Sequence, residues 1–365
     1  MKTNLRQAAG SLLVVGLSGT ELTGLERAWL KLVRPAGVIL FRRNIVDARQ
    51  TRALLGEATE LCAPQSFRCV DVEGGTVDRL RDALAPMPSA QAVAEAARRT
   101  GKKDLAREQG ELIARGVKAF GFNTTLAPVM DLALPESAEV LGTRAAGATA
   151  EHVVDYAHEF LAGLAAQKVV GCGKHFPGLG GGALDSHSLT PAIHRKMREL
   201  WSEDLVPYRE LSNRLPMVMV SHASYPQTPG KNQPASVSSY WISTVLRKRI
   251  GYRGVIFSDD LEMGGILKFM VIEEAAVAAI RAGMDLLEVC HTQEMILRAY
   301  EALIAEGERS AVFAKLLIAR AEQMARRRAE LFAGEVFPAL ADKQFEALRG
   351  RILRFAETVM EKQTA

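Results

Sequence analysis

Residues 169–191 read VVGCGKHFPGLGGGALDSHSLTP. The opening VVGCG is apolar at consecutive positions, as a parallel strand covered on both faces requires. The run ends on Lys174 and His175. Gly178 and Gly180 to Gly182 then make a loop too permissive for helix or strand, and that loop carries Asp185 and His187. A buried strand that stops at charged residues and passes into a mobile loop bearing proton-handling side chains is the pattern of a barrel strand ending on its catalytic face.

The same kind of run recurs in both directions. SLLVVGL (11–17), GVILF (37–41), FRCVDVE (67–73), TTLAPVMDL (124–132), VVGCGKH (169–175), MVMVSHA (217–223), GVIFSDD (254–260) and DLLEVC (285–290) are separated by segments with helical spacing, such as ELTGLERAWLKLV and EEAAVAAIRAG. Eight such units predict an α/β fold, a (β/α)8 TIM-type barrel over residues 1–308. A helical extension over 309–365 follows, packed on the barrel or at a dimer contact. Neither a G-x-G-x-x-G turn after the first strand nor a G-x-x-x-x-G-K-[ST] loop is present, so no nucleotide cradle is expected.

The totals agree with a globular enzyme. With 365 residues, 48% hydrophobic and 24% charged, the chain can bury a large core, and no segment reaches the ~18 apolar residues of a membrane span. A net charge of +4 is slight, and the run Arg326 to Arg328 reads as a solvated helix face, so nucleic acid is not an expected partner. Cys62, Cys69, Cys172 and Cys290 lack metal or disulfide spacing and read as reduced core thiols of a cytoplasmic protein. SLLVVGL follows Lys2 and Arg6, as in a short signal peptide, but an amphipathic helix continues directly from it. We read it as the first strand.

Polar residues gather where the runs end. Asp259 in VIFSDDLEM suits a nucleophile or a stabiliser of positive charge, although Ser258, Asp259 and Asp260 would equally suit a helix N-cap. Asp185, two residues before His187, can hold the imidazole in one tautomer and favour its charged form, which makes a general acid from a group that titrates near ~6.5; D-S-H is also good turn chemistry. Lys174 and His175 offer donors to a ligand's hydroxyls or carbonyl, and Asp71, Arg79 and Arg144 stand at similar positions. No H-E-x-x-H or cysteine pairing accompanies the histidines, so neither a catalytic metal nor a cofactor is expected.

Taken together, KHFPG with its glycine-rich loop and D-S-H, then GVIFSDDLEM some seventy residues later, resemble the β-N-acetylglucosaminidases of glycoside hydrolase family 3. GVILFRRNI, DVEGGTVDRL, FNTTLAPVMDL, VLGTR, PASVSSYWISTVLRKRIGYRG and AIRAGMDLLEV extend the likeness across residues 10–290. The resemblance implies retaining removal of β-linked N-acetylglucosamine, with Asp259 as nucleophile and Asp185–His187 as acid/base dyad. It implies that Asp71, Arg79, Arg144, Lys174 and His175 hold the sugar. It further implies cytoplasmic action on peptidoglycan fragments during wall recycling; the chain is expected as a monomer or a homodimer, the helical extension being the candidate contact. Leu179, Thr76 and Ala145-Ala146 depart from the family's pattern. The alternatives are a β-glucosidase, a phosphorolytic relative or a sugar-binding protein without turnover, and rates on aryl glycosides separate them.

Overall fold

A computed structural model of the chain describes residues 4–182, 192–337 and 339–361. Its centre is a closed, all-parallel barrel of eight strands: β1 (Leu13–Gly16), β2 (Gly37–Leu40), β3 (Phe67–Val70), β4 (Thr124–Thr125), β5 (Val170–Phe176), β6 (Met217–Val220), β7 (Val255–Asp260) and β8 (Leu286–Val289). Each strand pairs with its sequence neighbours, and β8 closes on β1 through Val15 opposite Val289. All eight apolar runs therefore lie on barrel strands, and the run at 11–17 supplies the first. The chain has the (β/α)8 architecture that the sequence pattern predicts.

Closure demands one very close approach. A Cβ on Gly16 would stand 2.0 Å from the Cys290 carbonyl oxygen, so glycine is the residue that lets the ends of β1 and β8 meet. The fourth run, TTLAPVMDL, keeps regular strand geometry for two residues only. Pro128 has no N–H to give the ladder, yet its carbonyl accepts from Lys174 N at 3.1 Å and the Ala127 carbonyl from Cys172 N at 2.8 Å. Residues 126–131 thus stay pinned along β5 without being a strand, which brings Asp131 under the end of β5.

Helices follow the strands and bury their apolar stripes on the barrel. Gly24–Val33 shows how the sequence starts one: the Thr23 side chain accepts from Glu26 N, and Glu26 accepts from Thr23 N at 2.8 Å, a capping box worth about 1 kcal/mol. Leu30 and Val33 of that helix are buried. The four cysteines are free and buried, and no described helix is long and apolar enough to cross a membrane.

Two long helices lie beyond the barrel's last helix (Gln293–Arg309). Ala311–Leu331 packs along that last helix and Leu5–Gly10; Asp342–Met360 packs on Leu105–Ala119 and Ala90–Thr100. Arg328, read from the sequence as part of a solvated face, turns inward instead. Its guanidinium is buried and donates to the Ser11 carbonyl at 3.1 Å and the Pro64 carbonyl at 3.3 Å, groups that precede β1 and β3. Burial holds its pKa down, at about 10. With Glu335 accepting from Asn123 at 3.2 Å, these contacts bring residues 328–335 of the extension to the N-terminal end of the barrel, opposite the polar strand ends.

Candidate active site

The C-terminal strand ends converge on a buried ionic cluster. The chain leaves β3 through Asp71 and enters a two-stranded ribbon, Val72–Gly74 with Val77–Asp78. Gly74 and Gly75 turn it with φ of +96° and +63°, values that suit glycine. That turn places Glu73, 3% exposed, between two cations brought from distant parts of the chain. Arg144 grips it with Nε and Nη2, each at 2.8 Å, and Lys174 Nζ approaches to 2.6 Å. Lys174 also donates to Asp71 at 2.8 Å, and Arg79 stands 3.8 Å from the other Asp71 oxygen. Burial alone would raise the Glu73 carboxyl; the Lys174 charge and the Arg144 hydrogen bonds overcome it and hold the group at about 2. Burial conversely opposes the charge on Lys174 and Arg144, and their carboxylate partners more than restore it.

Four of the five predicted sugar-holding residues join this cluster directly: Asp71, Arg79, Arg144 and Lys174. His175 adjoins it, its Nε2 lying 3.5 Å from Arg144 Nη2. Its Nδ1 pairs with Asp131 Oδ2 at 2.7 Å, while Asp131 Oδ1 accepts the Leu179 N–H at 2.8 Å. Asp131 therefore sets both the ring and the start of the glycine-rich loop. Lys174 and His175 are buried rather than the open donors expected from their strand-end position. They contribute charge and orientation through the carboxylates they hold.

Glu73, the last residue of the run at 67–73, has no role assigned from the sequence, since nothing local marks a carboxylate that meets partners 71 and 101 residues away. His222 was passed over similarly. It lies two residues beyond β6, buried, with Nδ1 2.7 Å from Ser236 Oγ and Nε2 2.9 Å from the Asp260 carbonyl. The carbonyl can only accept, so Nε2 carries the proton and Nδ1 accepts from the hydroxyl. Burial lowers the pKa of this ring, which suits the neutral form that fixes the end of β7.

Asp259 occupies that end, half-buried, one Oδ1 accepting the Asp260 N–H at 3.0 Å. The capping alternative fails: the next helix begins at Gly264 with Met263 before it, and Ser258 Oγ accepts from Glu288 N instead. Beside Asp259, burial pushes the carboxyls of Asp260 and Glu288 up, Asp260 to about 6. Asp71 follows β3 and Asp259 ends β7, so both stand on the C-terminal rim of the barrel, and their charges add to the upward push on Glu288. Asp185 and His187 lie outside the described residues. Preceding them, Gly178 (φ +138°) lies so near Asp204 that a Cβ would stand 2.9 Å from its Oδ1. Burial raises that carboxyl to about 7, against the pull of Arg195.

Known proteins resemble this chain in sequence and fold. The family described as glycosyl hydrolase family 3 N terminal domain matches residues 4–324. A beta-hexosaminidase of Thioalkalivibrio sulfidiphilus is 38% identical over 298 residues, 81% of this chain and 85% of that one. A glycoside hydrolase family 3 beta-N-acetylglucosaminidase from a Paenibacillus species superposes with a TM-score of 0.85 at 32% identity, over 97% of this chain and 69% of that one. NagZ from Neisseria gonorrhoeae, in complex with N-trifluoroacetyl-D-glucosamine, does so with a TM-score of 0.77 at 29% identity, over 95% and 98%. A family match over most of the chain and relatives above 30% identity across their length carry one conclusion: this chain is a glycoside hydrolase that belongs to glycosyl hydrolase family 3.

Proposed function

We propose that the protein is a retaining exo-β-N-acetylglucosaminidase. The observation that carries the reading is the uncapped Asp259 carboxylate on a rigid strand end, on the same rim as a prearranged Asp71–Glu73–Arg144–Lys174 cluster. In the first step an Asp259 oxygen attacks the anomeric carbon as the glycosidic bond breaks, giving a glycosyl ester, while the His187 imidazolium gives its proton to the leaving oxygen. In the second, neutral His187 takes a proton from water, which displaces Asp259 from the opposite face and restores the β configuration. Asp185 holds the His187 ring and favours its charged form. Asp71, Arg79 and Arg144 hold the sugar, with Lys174 and His175 behind them fixing the carboxylates of Asp71 and Asp131.

The N-acetyl preference is supported by the relatives' names and by the acylated glucosamine bound in the Neisseria neighbour. Peptidoglycan fragments as natural substrate, and action in the cytoplasm, rest on the family resemblance. A mechanism-based fluorosugar followed by peptide mapping tests the mechanism: label is expected on Asp259, and label only on Asp260 or Asp131 rejects the assignment. Rates on aryl β-N-acetylglucosaminide and aryl β-glucoside test the specificity, the first being expected to dominate.

A further inference from the structure

β7 and β8 end side by side with Asp260 opposite Glu288, and the chain just beyond β8 carries Cys290 and His291. A carboxylate oxygen of Asp260, Cys290 Sγ and a ring nitrogen of His291 all lie within 4.8 Å of one another. We propose that these three residues form a zinc site on the barrel rim, separate from the sugar-holding cluster. Asp260 is 5% exposed, and its Oδ2 lies 3.0 Å from His291 Nε2 without an aligned hydrogen bond to any described group. The two atoms form an ion pair only while the ring is protonated; with the ring neutral, the Nε2 and Oδ2 lone pairs face one another, and a cation can take the place of that proton.

The geometry is close to what the ion needs. With Zn–S near 2.3 Å and Zn–N or Zn–O near 2.0–2.1 Å, ligand atoms of a tetrahedral site stand roughly 3.3–3.6 Å apart, so shifts on the order of 1 Å complete it. Each ligand is held by something else. Asp260 Oδ1 is occupied by Glu262 N at 3.1 Å, which leaves Oδ2 to the metal. Glu262 also accepts from His291 N at 2.7 Å and Thr292 N at 3.0 Å, clamping the segment after β8, and the His291 ring lies against Phe41 with centroids 5.9 Å apart. Arg43 donates to the Cys290 carbonyl at 2.9 Å. His291, half-exposed, gives the ion its entry and leaves a fourth position for water.

Donor chemistry selects the ion. One thiolate, one imidazole and one carboxylate suit zinc, whereas magnesium and calcium take oxygen ligands. On binding, the Cys290 S–H bond breaks, its proton passes to solvent and a Zn–S bond forms. Two anionic ligands then balance the ion's charge. The ion ties the ends of β7 and β8 together, one residue from Asp259.

The test uses the full chain, freed of metal by chelator and titrated with cobalt(II), then with zinc. One cobalt per chain with thiolate-to-metal charge-transfer absorption, displaced by one equivalent of zinc, is expected. Cys290→Ala should abolish that absorption. His291→Ala, at an exposed position where folding is not at stake, should weaken zinc binding at least about tenfold. His187→Ala should leave both unchanged. Absence of the thiolate signal, its survival in Cys290→Ala, or loss of binding only in His187→Ala would overturn the proposal, the last by assigning the metal to the D-S-H loop.

Discussion

Replacing Glu73 by glutamine keeps the shape of the hub and removes its charge. Arg144 and Lys174 would then face each other across a buried site with Asp71 as the remaining carboxylate against them. Two routes give the magnitude. Removing one partner of a buried ion pair costs about 3–5 kcal/mol. Independently, a carboxyl held at about 2 in the folded protein against 4.5 ordinarily contributes on the order of 3 kcal/mol at neutral pH. Spread over an unfolding entropy of about 2.1 cal/mol/K per residue, that loss lowers Tm by roughly 4 °C. The sign with pH follows from a depressed carboxyl: its stabilisation is complete above 4.5 and disappears as pH falls through about 2. The difference between wild type and Glu73→Gln, measured by calorimetry or denaturant titration, should therefore shrink to less than half of its neutral value at pH 3. A rise in KM on an aryl β-N-acetylglucosaminide should accompany it, since Asp71 and Arg144 lose their positioning. A stability change below about 1 kcal/mol at pH 7, or a difference that does not shrink in acid, would refute the hub role.

Asp204 is the opposite case. Its carboxyl is raised to about 7 from 3.8, so the native state binds the extra proton and wild-type stability falls as pH climbs between those values, by about 2–3 kcal/mol from pH 5 to pH 8. Asp204→Asn should remove that slope and be the more stable protein at pH 8 in a thermal melt, and an unchanged slope would show that Arg195 neutralises the group fully. Gly16→Ala drives a Cβ into the Cys290 carbonyl and should cost about 1–3 kcal/mol or more, read as a lowered denaturant midpoint. His187→Ala should slow hydrolysis of the glycosyl-enzyme while sparing substrates with good leaving groups, so that azide restores the rate and yields a β-glycosyl azide. Equal loss on good and poor leaving groups, without rescue, would remove it from the acid/base role.

The barrel itself was legible in the order of residues. Parallel strands buried on both faces must be apolar at consecutive positions, and this constraint is local, so 11–17, 37–41 and the other runs announce themselves one by one. The polar residues that end those runs mark the active face for the same reason: in such a barrel, strand direction alone decides which end a residue reaches. Where a local rule was broken, the reading was less complete. Pro128 cut the fourth strand to two residues while its carbonyl still paired with β5.

What tertiary structure decided is who meets whom. Asp71 and Glu73 look equivalent in DVEGG, but the turn at Gly74-Gly75 sends Glu73 inward to Arg144 and Lys174. Asp259 and Asp260 are adjacent and chemically identical. Alternation along β7 leaves one half-buried and uncapped, and buries the other against Cys290 and His291. Arg328 looks like its neighbours in ARRRAE and differs only in the helix face it occupies, which sets it against carbonyls of two distant loops. Each of these pairings joins groups tens to hundreds of residues apart. Sequence spacing carries no record of them, because the energy that selects them, ion pairing and hydrogen bonding in a buried site, exists only once the barrel has closed.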